Sequence, residues 1–345
     1  MATGKNGVAS SVSAGAIIEN GMVAATSLGV DLSKPRWSQE TYAGRARHFI
    51  TITNPLNVLA TGSQLEEART LVKQYESGQV PAGTTANRMW GAKHLYDSAY
   101  HPDTGEKMLI FGRMSAQVPC NMAITGAMLT FYKTIPATVF WQWANQTFNA
   151  LVNYTNRNGE SMSTQKLATA YCAATGTATA TALFFNYLSK RAPPMAVRFV
   201  PAVAVCAANS VNIPLMRIDE LQEGIEVVNA DGQVVGKSKV AATKAIPQVI
   251  MARISMAMPP MLTAPFLMRY MEQKAMIKKS PWLLAPIQIL YVGFCLTFTT
   301  PLCCAIFPQR SSVRLEQITG DVDAYRRGLE LGMNGKDKLF FNKGL

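Results

Sequence analysis

Charge is missing from long stretches of this sequence. Residues 114–132, 134–156, 167–189, 199–216 and 280–309 contain no Lys, Arg, Asp or Glu, and residues 245–268 contain only Arg253. Each run reaches or approaches the roughly 20 residues with which a helix crosses a bilayer. Over 345 residues, charged side chains make up 16% and hydrophobic ones 48%, against about 25% charged in an average soluble domain. Buried core helices of a large soluble protein would explain one such run; five in one chain argue for a membrane bundle.

Other scarcities narrow the chemistry. Only His48, His94 and His101 are present, and the six cysteines all sit inside apolar runs without CxxC spacing. That pattern offers no zinc or iron cluster and no extracellular disulfide framework. The sequence has no nucleophile with its base and no phosphate-binding glycine loop, so it does not read as an enzyme, and no cofactor is expected. The net charge of +12 does not point to nucleic acid, because the cations flank the apolar runs, as at Lys190, Arg191, Arg269, Lys274, Lys278 and Lys279. In a membrane protein those positions orient the chain or meet anionic headgroups. Residues 1–30 are rich in Ala, Ser and Gly, without Arg or a compact apolar core; they read as a disordered extension and not as a transit peptide or secretory signal.

What the apolar runs do contain is amide. Gln142, Asn145, Asn149 and Asn153 follow one another at steps of three, four and four, which draws one polar line along a helix otherwise covered by Phe140, Trp141, Phe148 and Leu151. Gln117, Asn121 and Thr125 repeat a four-residue step in the first run, and Asn209 and Asn212 share a face before Pro214. Neutral hydrogen-bonding groups at membrane depth either join helices or line a cavity. Prolines such as Pro119, Pro214, Pro259, Pro260, Pro265 and Pro301 free backbone groups in the same region. Arg217 and Arg253 are candidate partners for a carboxylate, while no acidic side chain lies in the five charge-free runs. That balance fits a neutral zwitterion better than a tricarboxylate, which needs several buried cations.

Outside the runs the chain turns polar. Residues 31–110 read as a helical region: SQLE at 63–66 suggests a capping box for a helix over 64–77, a second helix is expected over 85–100, and NPLN at 54–57 reads as a turn. His101, Pro102, Asp103, Thr104, Gly105, Glu106 and Lys107 stand just before the first run. They make either a gate or ion site, from imidazole beside two carboxylates, or a rigid turn that docks the polar segment on the bundle. Residues 224–238 change to a two-residue period around Asp231-Gly232, the mark of a short β-hairpin. The tail, 310–345, is polar with a helix expected over 322–331.

The segments HPDTGEK, GRMSAQVPCNMAITG, FWQWANQTFNALVNYTNR, AANSVNIPLMR and TPLCCAIFPQ resemble the sideroflexin family of mitochondrial membrane proteins, once called tricarboxylate carriers. The resemblance runs from about residue 31 to the end of the last apolar run. It implies a multi-pass protein of the mitochondrial inner membrane with five transmembrane helices, carrying serine and other small neutral amino acids. Two departures are the N-terminal extension and Asn54, where relatives commonly have Asp. The combined expectation is an all-α integral membrane protein whose transmembrane domain covers 111–309, with five or six spans, several broken by proline. Its central cavity would be lined by Asn121, Gln142, Asn145, Asn149, Asn153, Asn209 and Asn212, with Arg217 and Arg253 for the carboxylate. The rival readings are a membrane scaffold, in which the amides only join helices, and a carrier of a carboxylate such as citrate.

Overall fold

A computed structural model describes residues 17–18, 22–101, 104–131, 134–155, 164–190, 193 and 200–343. The chain forms two compact units, Met1–Arg36 with Ala60–Asp97, and Trp37–Leu59 with Ser98–Leu345.

In the first unit, β1 (Ile17–Ile18), β2 (Met22–Ala24) and β3 (Gln79–Pro81) form a small antiparallel sheet. It packs with α2 (Gly62–Glu76) and most of α3 (Ala86–Ala99) around Ala25, Leu71, Val72, Val80 and Met89. Residues 22–30 are therefore ordered, against the expected disorder of the whole 1–30 segment. Val23, Ala25 and Leu28 bury enough apolar surface to hold a stretch whose composition alone looks unstructured. The capping box also moves. Thr61 Oγ1 accepts from Gln64 N at 3.3 Å and Thr61 N donates to Gln64 Oε1 at 2.9 Å, so the helix begins two residues before the position suggested by Ser63 and Glu66.

The second unit is built on six helices: α4 (Gln117–Phe131), α5 (Ile135–Thr155), α6 (Thr164–Ser189), α7 (Val200–Met216), α9 (Lys239–Glu272) and α11 (Leu284–Cys304). Each packs on its neighbours in sequence, and α11 packs back on α4, so the six close into a ring. Side-chain pairs fix alternating directions. Asn186 meets Thr138 while Tyr171 meets Thr147, which sets α6 antiparallel to α5. Thr299 reaches Met256 and Tyr291 reaches Thr263, which sets α11 antiparallel to α9. The seam between α4 and α11 is made by glycine: a Cβ on Gly126 would meet Ile289, and one on Gly293 would meet Met122. Two helices, Lys239–Glu272 and Pro281–Cys304, are both long and apolar enough to cross a membrane, and Ala202–Met216 is apolar but shorter.

The segment before the ring belongs to it. In α1 (Tyr42–Ile52), Ala46 and Phe49 pack with Cys304 and Ala305. Arg45 is buried with its guanidinium on four carbonyls: Ala305 at 2.8 Å, Glu40 at 2.8 Å, Gln39 at 3.0 Å and Ile306 at 3.4 Å. Those of Ala305 and Ile306 follow α11 directly, where the helix dipole favours a cation. Lys343 adds a bond to the carbonyl of Phe307 at 3.0 Å. The expected boundary near residue 110 thus gives way to one that takes residues 37–59 into the bundle unit.

The expected hairpin is present as β4 (Ile225–Val228) and β5 (Val234–Ser238), with Gly232 at φ 82° in its turn. It is half of a larger structure. The tail supplies β6 (Arg310–Arg314) and β7 (Lys338–Asn342), giving a sheet of order β5-β4-β7-β6. The expected tail helix is α12 (Val322–Glu330), which covers a core of Val227, Val235, Val313, Leu315, Leu339 and Phe341. Asp321 Oδ2 accepts from Ser238 Oγ at 2.5 Å, and Ser238 caps α9 by accepting from Ala241 N at 3.2 Å. The sheet is thereby tied to a ring helix.

Candidate functional site

One buried side of α5 carries polar, uncharged residues. Thr138, Gln142 and Gln146, at four-residue steps, are buried at 0%, 7% and 4% exposure. At 100° per residue they share a sector about a third of the helix circumference wide with Asn145, Asn149 and Asn153. Asn145 and Asn149 are partly buried; the side chain of Asn153 lies outside the described residues. Of the stripe read from the sequence, Gln142 is buried and Asn145 and Asn149 are half-buried. Gln146 and Thr138 were the residues it omitted, and the four-residue step from Gln142 in either direction is the signal that finds them.

Gln146 is also where two non-adjacent helices meet. Asn212 of α7 donates Nδ2–H to Gln146 Oε1 at 2.9 Å, although α6 stands between α5 and α7 in the ring order. Both residues are buried, and Asn212 Oδ1 is fully enclosed without a hydrogen-bond partner. A buried amide oxygen left unpaired costs about 1–3 kcal/mol, so the position suits a donor that none of the described residues supplies.

The other amides behave differently. Asn209 Nδ2 donates to the Val205 carbonyl at 3.0 Å, and Asn121 Nδ2 to the Gln117 carbonyl at 2.8 Å, each within its own helix. Asn121 also approaches Gln117 Oε1 at 3.3 Å, and Gln117 Nε2 is buried without a partner. Arg217 grips the carboxylate of Glu220 through Nε at 2.9 Å and Nη2 at 2.5 Å. Glu220 lies outside the charge-free runs, three residues past Arg217 and one helical turn away. Arg253, on α9, lies within electrostatic range of Arg217 and Cys304. Among the described residues no group of three or more His, Cys, Asp or Glu is placed to hold a metal ion.

Comparison with known proteins places this bundle. Residues 31–345 match the family described as Sideroflexins. Sideroflexin-1 of Ovis aries is 53% identical over 317 residues, covering 92% of this chain and 98% of the relative. Sideroflexin-1 of Homo sapiens is 52% identical over the same length and coverage. Sideroflexin-3 of Rattus norvegicus is 51% identical over 319 residues. The chain belongs to the sideroflexin family. No solved structure matches it.

In this sideroflexin the HPDTGEK segment is a closed turn. His101 N donates to the Glu106 carbonyl at 2.8 Å, Gly105 N to the His101 carbonyl at 2.9 Å, and Met108 N to the Ala99 carbonyl at 2.9 Å, with Gly105 at φ 64°. Thr104 N donates to His101 Nδ1 at 3.3 Å, so the buried imidazole is used inside the turn. Glu106 and Lys107 point outward and are exposed; Pro102 and Asp103 lie outside the described residues. Asn54 accepts from Leu56 N at 3.1 Å through Oδ1 and so starts the short 3-10 helix Pro55–Leu59. An Asp carboxylate would accept the same bond.

Proposed function

We propose that this sideroflexin carries serine or a similar small neutral amino acid across the mitochondrial inner membrane, along the polar inner face of its six-helix ring. The observation that carries the reading is the buried, uncharged Gln146–Asn212 pair with an unsatisfied acceptor at Asn212 Oδ1. An ammonium group is a strong donor for that oxygen, and Thr138, Gln142 and Gln146 offer neutral groups along the same line. Arg253 on α9 is the candidate for the carboxylate end, and Arg217 is already paired with Glu220. A tricarboxylate suits this face poorly, since its charge would be buried against amides and hydroxyls. Taking all six ring helices as spans puts residues 98–113 and the C-terminal sheet at one end, and the cationic connections over 190–198 and 269–279 together at the other. The scaffold reading draws on the self-bonded Asn121 and Asn209, which need no cargo.

Uptake of labelled serine into liposomes containing the purified full chain, with alanine, glycine, cysteine and citrate as competitors, tests the reading. The expected result is saturable uptake blocked by the small amino acids and not by citrate, with Asn212→Leu lowering flux more than tenfold while the protein stays folded. Uptake no greater than in empty liposomes would refute transport. Flux that falls only in step with stability would leave the amides as helix joints, worth about 0.6–2 kcal/mol each.

A further inference from the structure

The end of the ring where α9 passes to α11 carries a surface that the amide pathway does not use. On α9, Leu262, Phe266 and Tyr270 form an outward row at four-residue steps, exposed at 40%, 57% and 55%. On α11 and its leading turn, Phe298, Phe294, Leu290 and Trp282 lie on one such row and are all exposed, Trp282 at 72%. The sixteen residue-to-residue steps from Phe298 to Trp282 rise about 24 Å, most of the depth of a bilayer's hydrocarbon core.

Beyond the two aromatic tips stand the cations. α10 (Ala275–Lys279) is seated by Ile277, which is 2% exposed, and this turns Met276, Lys278 and Lys279 outward. Lys274 Nζ lies 4.2 Å from the centre of the Tyr270 ring. From residue 269 to 283 the chain has Arg269, Lys274, Lys278 and Lys279 against Glu272 alone. None of those four is ion-paired among the described residues, whereas at the opposite end Arg217, Lys237 and Arg314 each hold a glutamate.

We infer that this rim is a binding surface for anionic phospholipid headgroups, with Lys274, Lys278 and Lys279 on the phosphates and Tyr270 and Trp282 seated at the boundary between headgroup and acyl chain. Apolar residues, then amphipathic aromatics, then unpaired cations follow one another along a single axis, in the order that a leaflet presents hydrocarbon, interface and phosphate. A protein partner would need acidic groups matched to individual lysines and gives no reason for this axial sorting.

The full chain purified in neutral detergent is titrated with phosphatidylglycerol or with phosphatidylcholine of the same chain length. Retained lipid is counted by native mass spectrometry, and thermal stability is followed in parallel. The wild type is expected to prefer phosphatidylglycerol, with the preference shrinking in 0.5 M salt as screening sets in. Lys274→Gln/Lys278→Gln/Lys279→Gln should lose about a hundredfold in that preference, from roughly fivefold per cation, and keep its stability in phosphatidylcholine. The exposed control Arg326→Gln/Lys336→Gln/Lys338→Gln, with the same loss of charge in the C-terminal tail, should keep the preference. A wild type without preference, a triple variant that retains it, or a control that loses it equally would overturn the proposal. If the triple variant misfolds, Lys278→Gln/Lys279→Gln carries the same test with a smaller expected loss.

Discussion

The glycine seam between α4 and α11 makes a prediction with an internal control. A Cβ placed on Gly126 stands 2.8 Å from the backbone Cα of Ile289 and 2.7 Å from its Cγ1. Carbon atoms rest at about 3.5–4.0 Å, so Gly126→Ala requires the two helices to part by about 1 Å, because a Cα cannot rotate away. Overpacking of this kind costs about 1–3 kcal/mol, and the better helix propensity of alanine returns roughly 1. The net expectation is a loss of about 0–2 kcal/mol, toward the upper end because the obstructing atom is backbone. A Cβ on Gly293 instead overlaps Met122 Sδ and stands 2.7 Å from its Cγ. Those atoms belong to a flexible side chain that can swing, so Gly293→Ala should lie within about 1 kcal/mol of the wild type. Thermal unfolding of the purified variants in one detergent reads both. Adding Met122→Ala should remove whatever cost Gly293→Ala shows, while no side-chain truncation at position 289 fully rescues Gly126→Ala. Equal losses at the two glycines, or a Gly126→Ala protein as stable as the wild type, would refute the seam.

Replacing Arg45 by Met strips four carbonyls of their shared donor and should cost about 2–4 kcal/mol in the same assay. Arg45→Lys should recover less than half of it, since an ammonium cannot serve the same fork. Burial of the Lys343 side chain, 1% exposed, lowers its ammonium to a pKa of about 8, with Arg45 adding to the shift and Cys304 opposing it. The unfolded chain, titrating at about 10.5, then binds more protons between those two values. Stability should therefore rise with pH from about 8 to 10.5, and Lys343→Met should flatten that rise in an unfolding series over this window.

The sequence announces features that repeat along one element. The α5 stripe, the charge-free runs and the helices over 62–76 and 86–99 all show in local periodicity or capping residues. Features made by residues far apart in the chain are hidden. RSSVR and KLFFN look like polar tail until Arg310 pairs with Asn342 and Val313 with Leu339, and β7 reaches back to Val228 through Phe340. A four-residue step from Gln142 puts Gln146 on the stripe, but its bond to Asn212 is hidden because the partner is 66 residues away. The same distance argument explains Arg45, which reads as an ordinary surface helix cation until Ala305 and Ile306 arrive beside it.

The joint between α4 and α11 also sets an order of events during synthesis. Five of the six ring helices are complete before the last one leaves the ribosome, and until then α4 has nothing on the flank that carries Gly126. A nascent chain at that stage has its amides facing an unsealed groove, open from the side. The final strand, Lys338–Asn342, pairs with Val228 only after the rest is made. A chain that stops before residue 284 would therefore leave an open-sided polar trough. The two most distant helices of the bundle are also its closing stitch.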